Sequence, residues 1–420
     1  MSQISHLLSR NAFSATSQKM HFDLLTDPGV AGPALELVHL YYDQFPTGIA
    51  VSSTGRKFSN YPPGLDVSNT NTGTNSKYTV AELLPNNTEV PYPSLELNNP
   101  PGGAINYSTT PASGAALSTH LIGVQSVVID SLDRLWILDT GRAIDPESGT
   151  QVPATAPGGP KLVGVDLETD SVFATIVFPP SVAPPDSYLN DVRIDARAGL
   201  SGSTGQGVAY ITDSGADALV IVDLGTGDSW RRLSGHPSTR AESQFVPSVW
   251  GTPLYGGSSD SGSLSFVSTG ADGIALSADG STLYFCPLAS RALYAVSTAV
   301  LRERDSGAEL RAQGAVVALG QKGFSDGMES DDRGLVYWGS MEQNAVGWYS
   351  SNNGSTGTWV RDPRIGWVDT FSIAEDGYLY FTNNLLNLAP NFNSGIDNRR
   401  KPYSLFRVPL PDGGRKIMLR

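Results

Sequence analysis

The chain has 420 residues, of which 16% are charged and 40% are hydrophobic, and its formal net charge at pH 7 is -13. An acidic chain without clustered Lys and Arg lacks the surface that releases counterions from nucleic acid, so we predict no nucleic-acid partner. No segment approaches the roughly 20 consecutive apolar residues that span a bilayer, so we predict a soluble protein without a membrane span.

The N-terminal segment differs in composition from the rest of the chain. Residues 1–22 contain no Asp or Glu and lack the apolar core of a secretory signal peptide. We predict an N-terminal extension over residues 1–33 and a single domain over residues 34–420. The chain is then cytoplasmic, or secreted if a leader has been removed. The single cysteine, Cys286, excludes an intrachain disulfide and a cysteine-ligated zinc site.

Six segments of the chain share one repeated pattern. Each has a small or polar doublet, an apolar strand, a turn rich in Asp, Ser and Gly, and a second strand rich in aromatic and β-branched residues. The doublets are Thr47-Gly48, Gln125-Ser126, Asn190-Asp191, Asp272-Gly273, Asp326-Gly327 and Asp369-Thr370. Asp-Gly and similar pairs between strands indicate tight hairpins. Six hairpins in a regular series predict six radial units.

A third strand follows most of these hairpins, at residues 162–166, 218–223, 293–296, 345–349 and 404–408. Three strands with room for an outer fourth are typical of a propeller blade. We therefore predict an all-β fold, a six-bladed β-propeller with mostly four-stranded blades. The N-terminal strand at residues 35–40 should close the ring beside the C-terminal strands, which leaves few free edges. The one predicted helix, around residues 299–313, is a loop insertion.

The polar doublets are the strongest candidates for a functional site. The innermost strand of each blade lines the axis of a propeller, so residues just before that strand lie at one mouth of the channel. We predict that these side chains form one small-molecule pocket: Thr47, Gln125, Asn190, Asp191, Asp272, Asp326, Asp369 and Thr370. Carboxylates at a narrow opening repel one another, so they need a cation or a raised pKa. Alternatively, each doublet is a turn whose side chain bonds its own backbone.

Other side chains extend the predicted pocket. Asp272, Asp326 and Asn190 are the predicted catalytic groups, and His120, which precedes Gln125 by five residues, is either an acid or base at the rim or an ordinary loop histidine. Aromatic residues near the doublets either form an apolar wall for a flat ligand or pack within the blades: Tyr61, Trp250, Phe324, Trp338 and Trp367. The sequence has no motif typical of zinc peptidases, α/β-hydrolases, P-loop proteins or dinucleotide-binding proteins.

Several of these runs resemble the major royal jelly and Yellow protein family. The runs are residues 45–52, 125–130, 135–141 with its Trp-x-x-Asp-Thr-Gly pattern, 190–195, and the stretch 324–392. The resemblance covers roughly residues 35–410 and implies a propeller. It leaves the chemistry open, because the family includes proteins that rearrange dopachrome, proteins that only bind amines, and others of unknown activity.

A more distant resemblance is to the gluconolactonase propellers, in which a glutamate and polar doublets hold a divalent metal at this mouth. Asn190, Asp272 and Asp326 match three of those positions, with Asp replacing the second Asn, whereas the glutamate has no counterpart. The resemblance implies a divalent cation such as Ca²⁺ at these three residues if the protein is a lactonase. Water commonly completes such oxygen coordination.

Three functions are therefore open. The first is an enzyme without cofactor that isomerises or cyclises a reactive oxidised molecule, by tautomerisation of the dopachrome kind or by hetero-Diels–Alder closure of a quinone methide. It is suggested by a likeness to propellers of tropolone sesquiterpenoid biosynthesis. The second is a metal-dependent lactonase, and the third is a non-catalytic small-ligand binder. We favour the first, since the metal ligands are incomplete and no nucleophile is evident.

Overall fold

The computed structural model describes residues 25–72, 75, 77–145, 150–256 and 265–420. Over these residues the chain is 40% strand and 8% helix, and six four-stranded sheets are arranged as a β-propeller. The predicted fold is confirmed. No helix within the described ranges is long and apolar enough to cross a membrane.

The strands follow one another around the ring in chain order. The first strand, β1 (Glu36–Tyr41), belongs to the last blade. Blade one contains β2 (Gly48–Val51), β3 (Lys57–Asn60), β4 (Val80–Leu84) and β5 (Thr88–Pro91). A small hairpin follows, formed by β6 (Ile105–Asn106) and β7 (Ser113–Gly114). Blade two contains β8 (Val124–Ile129), β9 (Arg134–Asp139), β12 (Lys161–Asp166) and β13 (Ser171–Val177). A second hairpin, formed by β10 (Ile144–Asp145) and β11 (Thr150–Gln151), lies between β9 and β12.

The remaining blades repeat the arrangement. Blade three contains β14 (Leu189–Asp195), β15 (Val208–Asp213), β16 (Ala218–Asp223) and β17 (Ser229–Arg232), followed by the hairpin of β18 (Ser248–Val249) and β19 (Thr252–Pro253). Blade four contains β20 (Ala271–Leu276), β21 (Thr282–Pro287), β22 (Ala292–Ser297) and β23 (Val317–Gln321). Blade five contains β24 (Met328–Ser330), β25 (Leu335–Ser340), β26 (Ala345–Ser350) and β27 (Thr356–Arg361). Blade six contains β28 (Val368–Ile373), β29 (Tyr378–Asn383), β30 (Tyr403–Pro409) and β1.

Helices are short and lie in the connections. They are α1 (Leu95–Asn98), α2 (Thr298–Arg302) and α3 (Ala308–Gly314). The helical insertion predicted at residues 299–313 is confirmed, although as two helices. The first helix ends because Glu303 adopts an extended backbone with φ -62° and ψ 144°.

Ring closure occurs as predicted. β1 pairs antiparallel with β30, from Glu36 opposite Arg407 to Tyr41 opposite Tyr403. Upstream of this strand, Ala31 exchanges backbone hydrogen bonds with Arg361 at the edge of blade five. The described part of the predicted extension is thus attached to a blade, and residues 1–24 lie outside the described residues.

The hydrophobic core lies between neighbouring blades, where their apolar faces pack against one another. One cluster joins blades two and three through Trp136, Leu138, Val192 and Ile211, all of which are fully or almost fully buried. Polar side chains on the second strand of one blade form hydrogen bonds with the inner strand of the next blade. Thr212 Oγ1, in blade three, donates to the Asp272 carbonyl oxygen of blade four at 2.6 Å, so adjacent inner strands are held in a defined register around the axis.

The doublets in four blades coincide with β-bulges, and in blade two the extra residue is Gln125, between Val124 and Ser126. The pairing of β14 with β15 jumps from Leu189 to Val192, so Asn190 and Asp191 together oppose one residue of the partner strand. The same jump occurs around Asp272-Gly273 and around Asp369-Thr370. A bulge bends the strand and re-aims its side chains. This local irregularity therefore directs doublet side chains toward the channel.

The channel has two mouths of different kinds. The upper mouth is the end at which the inner strands begin, and the lower mouth is the end at which they finish. The C-terminal tail crosses the lower mouth: the Leu419 carbonyl oxygen accepts hydrogen bonds from Ser131 Oγ at 2.5 Å and Ala196 N at 3.0 Å. Beneath it, a cavity of about 70 Å³ is lined by residues such as Arg193, Glu329 and Lys416. The lower mouth is covered by the chain's own tail.

Candidate functional site

The upper mouth opens into a cavity of about 810 Å³. Five of the predicted site residues line it: Gln125, Asn190, Asp272, Asp326 and Asp369. Its other walls include apolar side chains from loops, which are Leu65, Leu288, Trp367, Leu386, Ala389, Pro390 and Phe392. The cavity combines a polar ring with an apolar wall, which is typical of small-molecule sites.

Asp272 and Asp326 are neighbouring carboxyl groups between blades four and five, close enough for each to change the pKa of the other. Both side chains are buried. Two neighbouring carboxylates repel each other, so one of the pair keeps its proton. Burial and the neighbouring charge of Asp326 raise the pKa of Asp272 well above its usual value. Burial raises the pKa of Asp326 to about 6, and the hydrogen bonds from Asp272 and Trp367 oppose that rise.

The two carboxyl groups of the pair accept hydrogen bonds from different donors. Asn190 Nδ2 donates to Asp272 Oδ2 at 2.8 Å, and Trp367 Nε1 donates to Asp326 Oδ2 at 2.6 Å. Because the pKa of Asp272 is raised further than that of Asp326, the proton of the pair belongs on Asp272, and Asp326 is the charged partner at neutral pH.

A row of hydrogen bonds on the same side of the cavity orients Asn190. The Tyr188 hydroxyl donates to Gln125 Oε1 at 2.7 Å, and Gln125 Nε2 donates to Asn190 Oδ1 at 3.3 Å. This order leaves the Asn190 amide nitrogen free to donate to Asp272. Tyr188 thus acts through two amides to fix the orientation of the group that holds Asp272.

Two further aspartates lie near the pair. Asp369 Oδ2 accepts a hydrogen bond from Asn384 Nδ2 at 2.7 Å, and burial together with the charge of Asp326 raises the pKa of Asp369 well above its usual value. Burial also raises the pKa of Asp191 to about 6, against the attraction of nearby Arg193. Four buried aspartates with raised pKa values therefore surround the upper end of the channel.

The donor set does not fit a divalent metal as it is arranged. Asn190 Oδ1 already accepts from Gln125, and Asp326 Oδ2 accepts from Trp367. Within the described part of the chain, no group of three or more His, Cys, Asp or Glu side chains is placed to hold an ion. The ligand set of Asn190, Asp272 and Asp326 implied by the gluconolactonase resemblance therefore forms a hydrogen-bonded network here.

Three residues of the predicted ring do not reach the cavity. Thr47 is fully buried, and its hydroxyl donates to the Gln125 carbonyl oxygen at 3.2 Å. Asn60 Nδ2 donates to the same hydroxyl, so this side chain is bonded between neighbouring strands. Thr370 and Asp191 are the second residues of their bulges and are buried, and neither is among the cavity-lining residues.

The predicted aromatic and histidine residues also lie away from the cavity, with the exception of Trp367. Phe324 is fully buried against Trp367, with ring centroids 5.3 Å apart, and Trp338 packs in the core between blades four and five. His120 is partly exposed in the loop before β8, where its Nδ1 hydrogen-bonds to the Thr119 hydroxyl at 3.0 Å. Phe324 packs in a hydrophobic cluster of the segments that connect the blades, Trp338 packs within the blades, and His120 is a loop residue.

Sequence reasoning missed several polar residues of the cavity, among them Tyr188 and Arg142. Tyr188 precedes Asn190 by two positions, and residues two apart share a face of a strand. That spacing was a usable signal. Arg142 lies in a loop beyond the Trp-x-x-Asp-Thr-Gly run, where no periodic pattern applies.

Comparison with known proteins identifies the family. Residues 122–410, more than half of the chain, match the family model described as Major royal jelly protein. The chain belongs to the major royal jelly protein family. This confirms the resemblance drawn from the sequence runs.

Curated relatives of this royal jelly family member include Protein yellow of Drosophila melanogaster, 30% identical over 275 residues, which are 62% of this chain and 43% of that protein. Major royal jelly protein 5 of Apis mellifera is 27% identical over 235 residues, which are 55% of this chain and 35% of that protein. The match thus spans less than half the length of each relative.

Solved structures that resemble this one include a luciferin-regenerating enzyme, with a TM-score of 0.49 and 11% sequence identity. The superposition covers 91% of this chain and 97% of the enzyme's chain. Another is a gluconolactonase of Xanthomonas campestris, with a TM-score of 0.46, 14% identity and the same coverage of 91% and 97%. Similarity at this level carries no information about the reaction of this chain.

Proposed function

We propose that the protein is an enzyme that isomerises or cyclises a small, reactive, oxidised molecule without a cofactor. The observation that carries this proposal is the pair of neighbouring buried carboxyl groups, Asp272 and Asp326, which line a partly apolar cavity and whose pKa values are raised to different extents. Pairs of titratable groups with separated pKa values supply an acid and a base at the same pH.

In a tautomerisation, the charged Asp326 removes a proton from carbon while Asp272 gives its proton to the carbonyl oxygen. The substrate then holds the same number of protons, and the pair is restored when the proton gained by Asp326 passes to the neighbouring Asp272. Proton transfer by positioned groups typically contributes 10²–10⁴-fold to the rate. A dopachrome-type rearrangement has this form.

In a cycloaddition there is no net proton transfer, so the pair acts as a hydrogen-bond donor. Asp272 donates to the carbonyl oxygen of a quinone methide, which stabilises the negative charge that develops there. The apolar wall formed by Trp367, Leu386 and Phe392 holds the two reacting parts together. Such positioning can account for a large part of the rate enhancement.

The test uses the full chain with two probes, dopachrome and an o-quinone methide generated in solution with an alkene partner. We expect the protein to accelerate at least one conversion, measured by absorbance and by chromatography of products, and we expect the Asp272→Asn/Asp326→Asn double variant to lose the acceleration. Binding of both probes in the cavity without acceleration would contradict the proposal and favour a ligand-binding protein. Acceleration that persists in the double variant would place the chemistry elsewhere.

A further inference from the structure

The cavity contains one arginine that the proposed proton transfer does not use. Arg142 lines the cavity, and backbone carbonyl groups hold its guanidinium: Nε donates to the Ser187 oxygen at 3.1 Å and Nη2 donates to the Asp186 oxygen at 2.7 Å. Carbonyl groups fix the guanidinium in place without neutralising its charge. Arg142 is therefore a positioned cation.

Arg142 has no carboxylate partner within ion-pair distance among the described side chains. Asp213 attracts it electrostatically, but Asp213 is itself paired with Arg231 at 2.7 Å. The carboxylate of Asp186 is exposed and also contributes only through longer-range attraction. Burial lowers the pKa of Arg142, as expected for a guanidinium with too little compensating charge.

The other arginine that lines the cavity is neutralised. Arg399 pairs with Asp66 at 3.2 Å and with Asp397 at 2.8 Å, and its side chain is only 2% exposed. Its guanidinium belongs to the structure of the wall. Of the cavity-lining side chains, Arg142 thus carries the positive charge that is left for a ligand.

Arg142 and the carboxyl pair lie at opposite ends of one row of side chains. The Arg142 guanidinium lies 5.7 Å from the centroid of the Tyr188 ring. Tyr188 begins the hydrogen-bonded row that runs through Gln125 and Asn190 to Asp272. A ligand lying along this row would contact the cation at one end and the carboxyl pair at the other.

We propose that the substrate carries an acidic oxygen group, a carboxylate or an ionised enol or phenol, that binds Arg142 and directs the uncharged reacting part to Asp272 and Asp326. The carbonyl groups engage Nε and Nη2, so the N–H groups of Nη1 are the donors left for such oxygens. The negative charge of Asp326 disfavours the reverse orientation. The assignment of the reacting end rests on the proposed function, whereas the assignment of the anionic end rests on Arg142.

The test compares binding of 2-naphthoate and 2-naphthamide, which share a ring system and differ in charge, by isothermal titration calorimetry. We expect the full chain to bind naphthoate at least about 10-fold more tightly, as a charge-assisted hydrogen bond provides. Arg142→Met should abolish this preference by weakening naphthoate binding alone, and Arg142→Lys should retain part of it. Arg232→Met is the matched control, because Arg232 is likewise held by carbonyl groups but lies outside the cavity.

Equal binding of the two probes by the folded chain, absence of naphthoate binding, or a preference that survives Arg142→Met would overturn the inference. Circular dichroism checks that each variant is folded, and Arg142→Lys supplies a second variant if Arg142→Met does not fold. The Asp272→Asn/Asp326→Asn variant should keep the naphthoate preference. If the unaltered chain accelerates neither probe reaction but keeps the naphthoate preference, the proposed reaction fails and the anion site stands.

Discussion

The two mouths of the channel both carry aspartates, but these aspartates obtain their hydrogen bonds in different ways. At the lower mouth, Asp331 follows an inner strand and accepts from the backbone N–H groups of Arg333 and Leu335 and from the Tyr337 hydroxyl, all within six residues. At the upper mouth, Asp272 accepts from Asn190 in another blade, and neighbouring Asp326 raises its pKa.

The difference separates structural from functional carboxylates. A turn aspartate that is satisfied by its own backbone is part of the hairpin. Asp272, on a bulge, receives its donor from another blade and lies in the cavity beside other aspartates, so its protonation depends on the assembled ring. The same residue type is therefore held in different ways at the two ends of the channel, and we propose a catalytic role only for the upper pair.

The largest effect should come from removing the acid of the upper mouth. Asp272→Asn cannot donate the proton, so kcat on the probe that the chain converts should fall roughly 10²–10⁴-fold, with no loss of melting temperature. Asp331→Ala at the lower mouth should leave kcat unchanged but lower the free energy of unfolding, by about 1–3 kcal/mol for each buried donor that loses its acceptor. Steady-state kinetics and urea unfolding measure the two effects, and equal effects of both variants would remove the distinction.

The next effect concerns the tail that covers the lower mouth. Deleting residues 415–420 exposes the pocket of Leu419 and leaves Ala196 N and Ser131 Oγ without their acceptor. We expect the free energy of unfolding to fall by about 4 kcal/mol, from about 2 for the leucine and about 1 for each hydrogen bond. Naphthoate binding at the upper mouth should persist. Met418→Ala is the control, and loss of binding in a folded truncated chain would show that the mouths are coupled.

Asp191 should make stability depend on pH. Its pKa is about 6 in the folded chain against 3.8 as an ordinary value, so the folded chain keeps a proton that the unfolded chain has released. Stability from this group is therefore lost as pH rises from about 4 to about 7, by about 3 kcal/mol at 1.4 kcal/mol per pKa unit. Asp191→Asn should flatten this dependence in urea unfolding, whereas exposed Asp228→Asn should not. A slope unchanged by Asp191→Asn would mean that Asp191 is ionised throughout.

The smallest effect should be a shift in the pH profile. Activity should rise as Asp326 ionises near pH 6 and fall at higher pH as the proton of Asp272 is lost. Trp367→Phe removes the indole donor to Asp326, so the acidic limb of the kcat profile should move up by up to about one pH unit. Trp359→Phe, whose indole donates to the Pro409 carbonyl oxygen, is the control. An acidic limb that does not move would assign it to another group.

Sequence analysis predicted the propeller because each hairpin is encoded locally. The Asp-Gly turns and the alternating strands lie within a few residues of one another, and their regular recurrence implies a ring. The upper-mouth position of the doublets follows from the same repeat. Gln125, Asn190, Asp272, Asp326 and Asp369 all line the cavity.

The orientation of those side chains was not available from the repeat. Thr47 has the same position as Asn190 in its blade, yet it does not line the cavity, because its side chain is bonded between neighbouring strands by the Gln125 carbonyl oxygen and Asn60 Nδ2. The hydrogen bonds of Asp272 and Asp326 depend on donors from Asn190 and Trp367, which come from distant parts of the chain. Arg142 lies in a loop, where neither strand alternation nor the blade repeat predicts its position.

The pairing of β1 with β30 also has a consequence for synthesis of the protein. Blade six needs a strand from each end of the chain, residues 36–41 and 403–409. During translation the early blades emerge first, but the ring cannot close until nearly the whole chain has left the ribosome. The nascent propeller therefore exposes the flanks of an open ring for most of its synthesis. A ribosome stalled before residue 403 would carry a chain that cannot form the completed upper mouth.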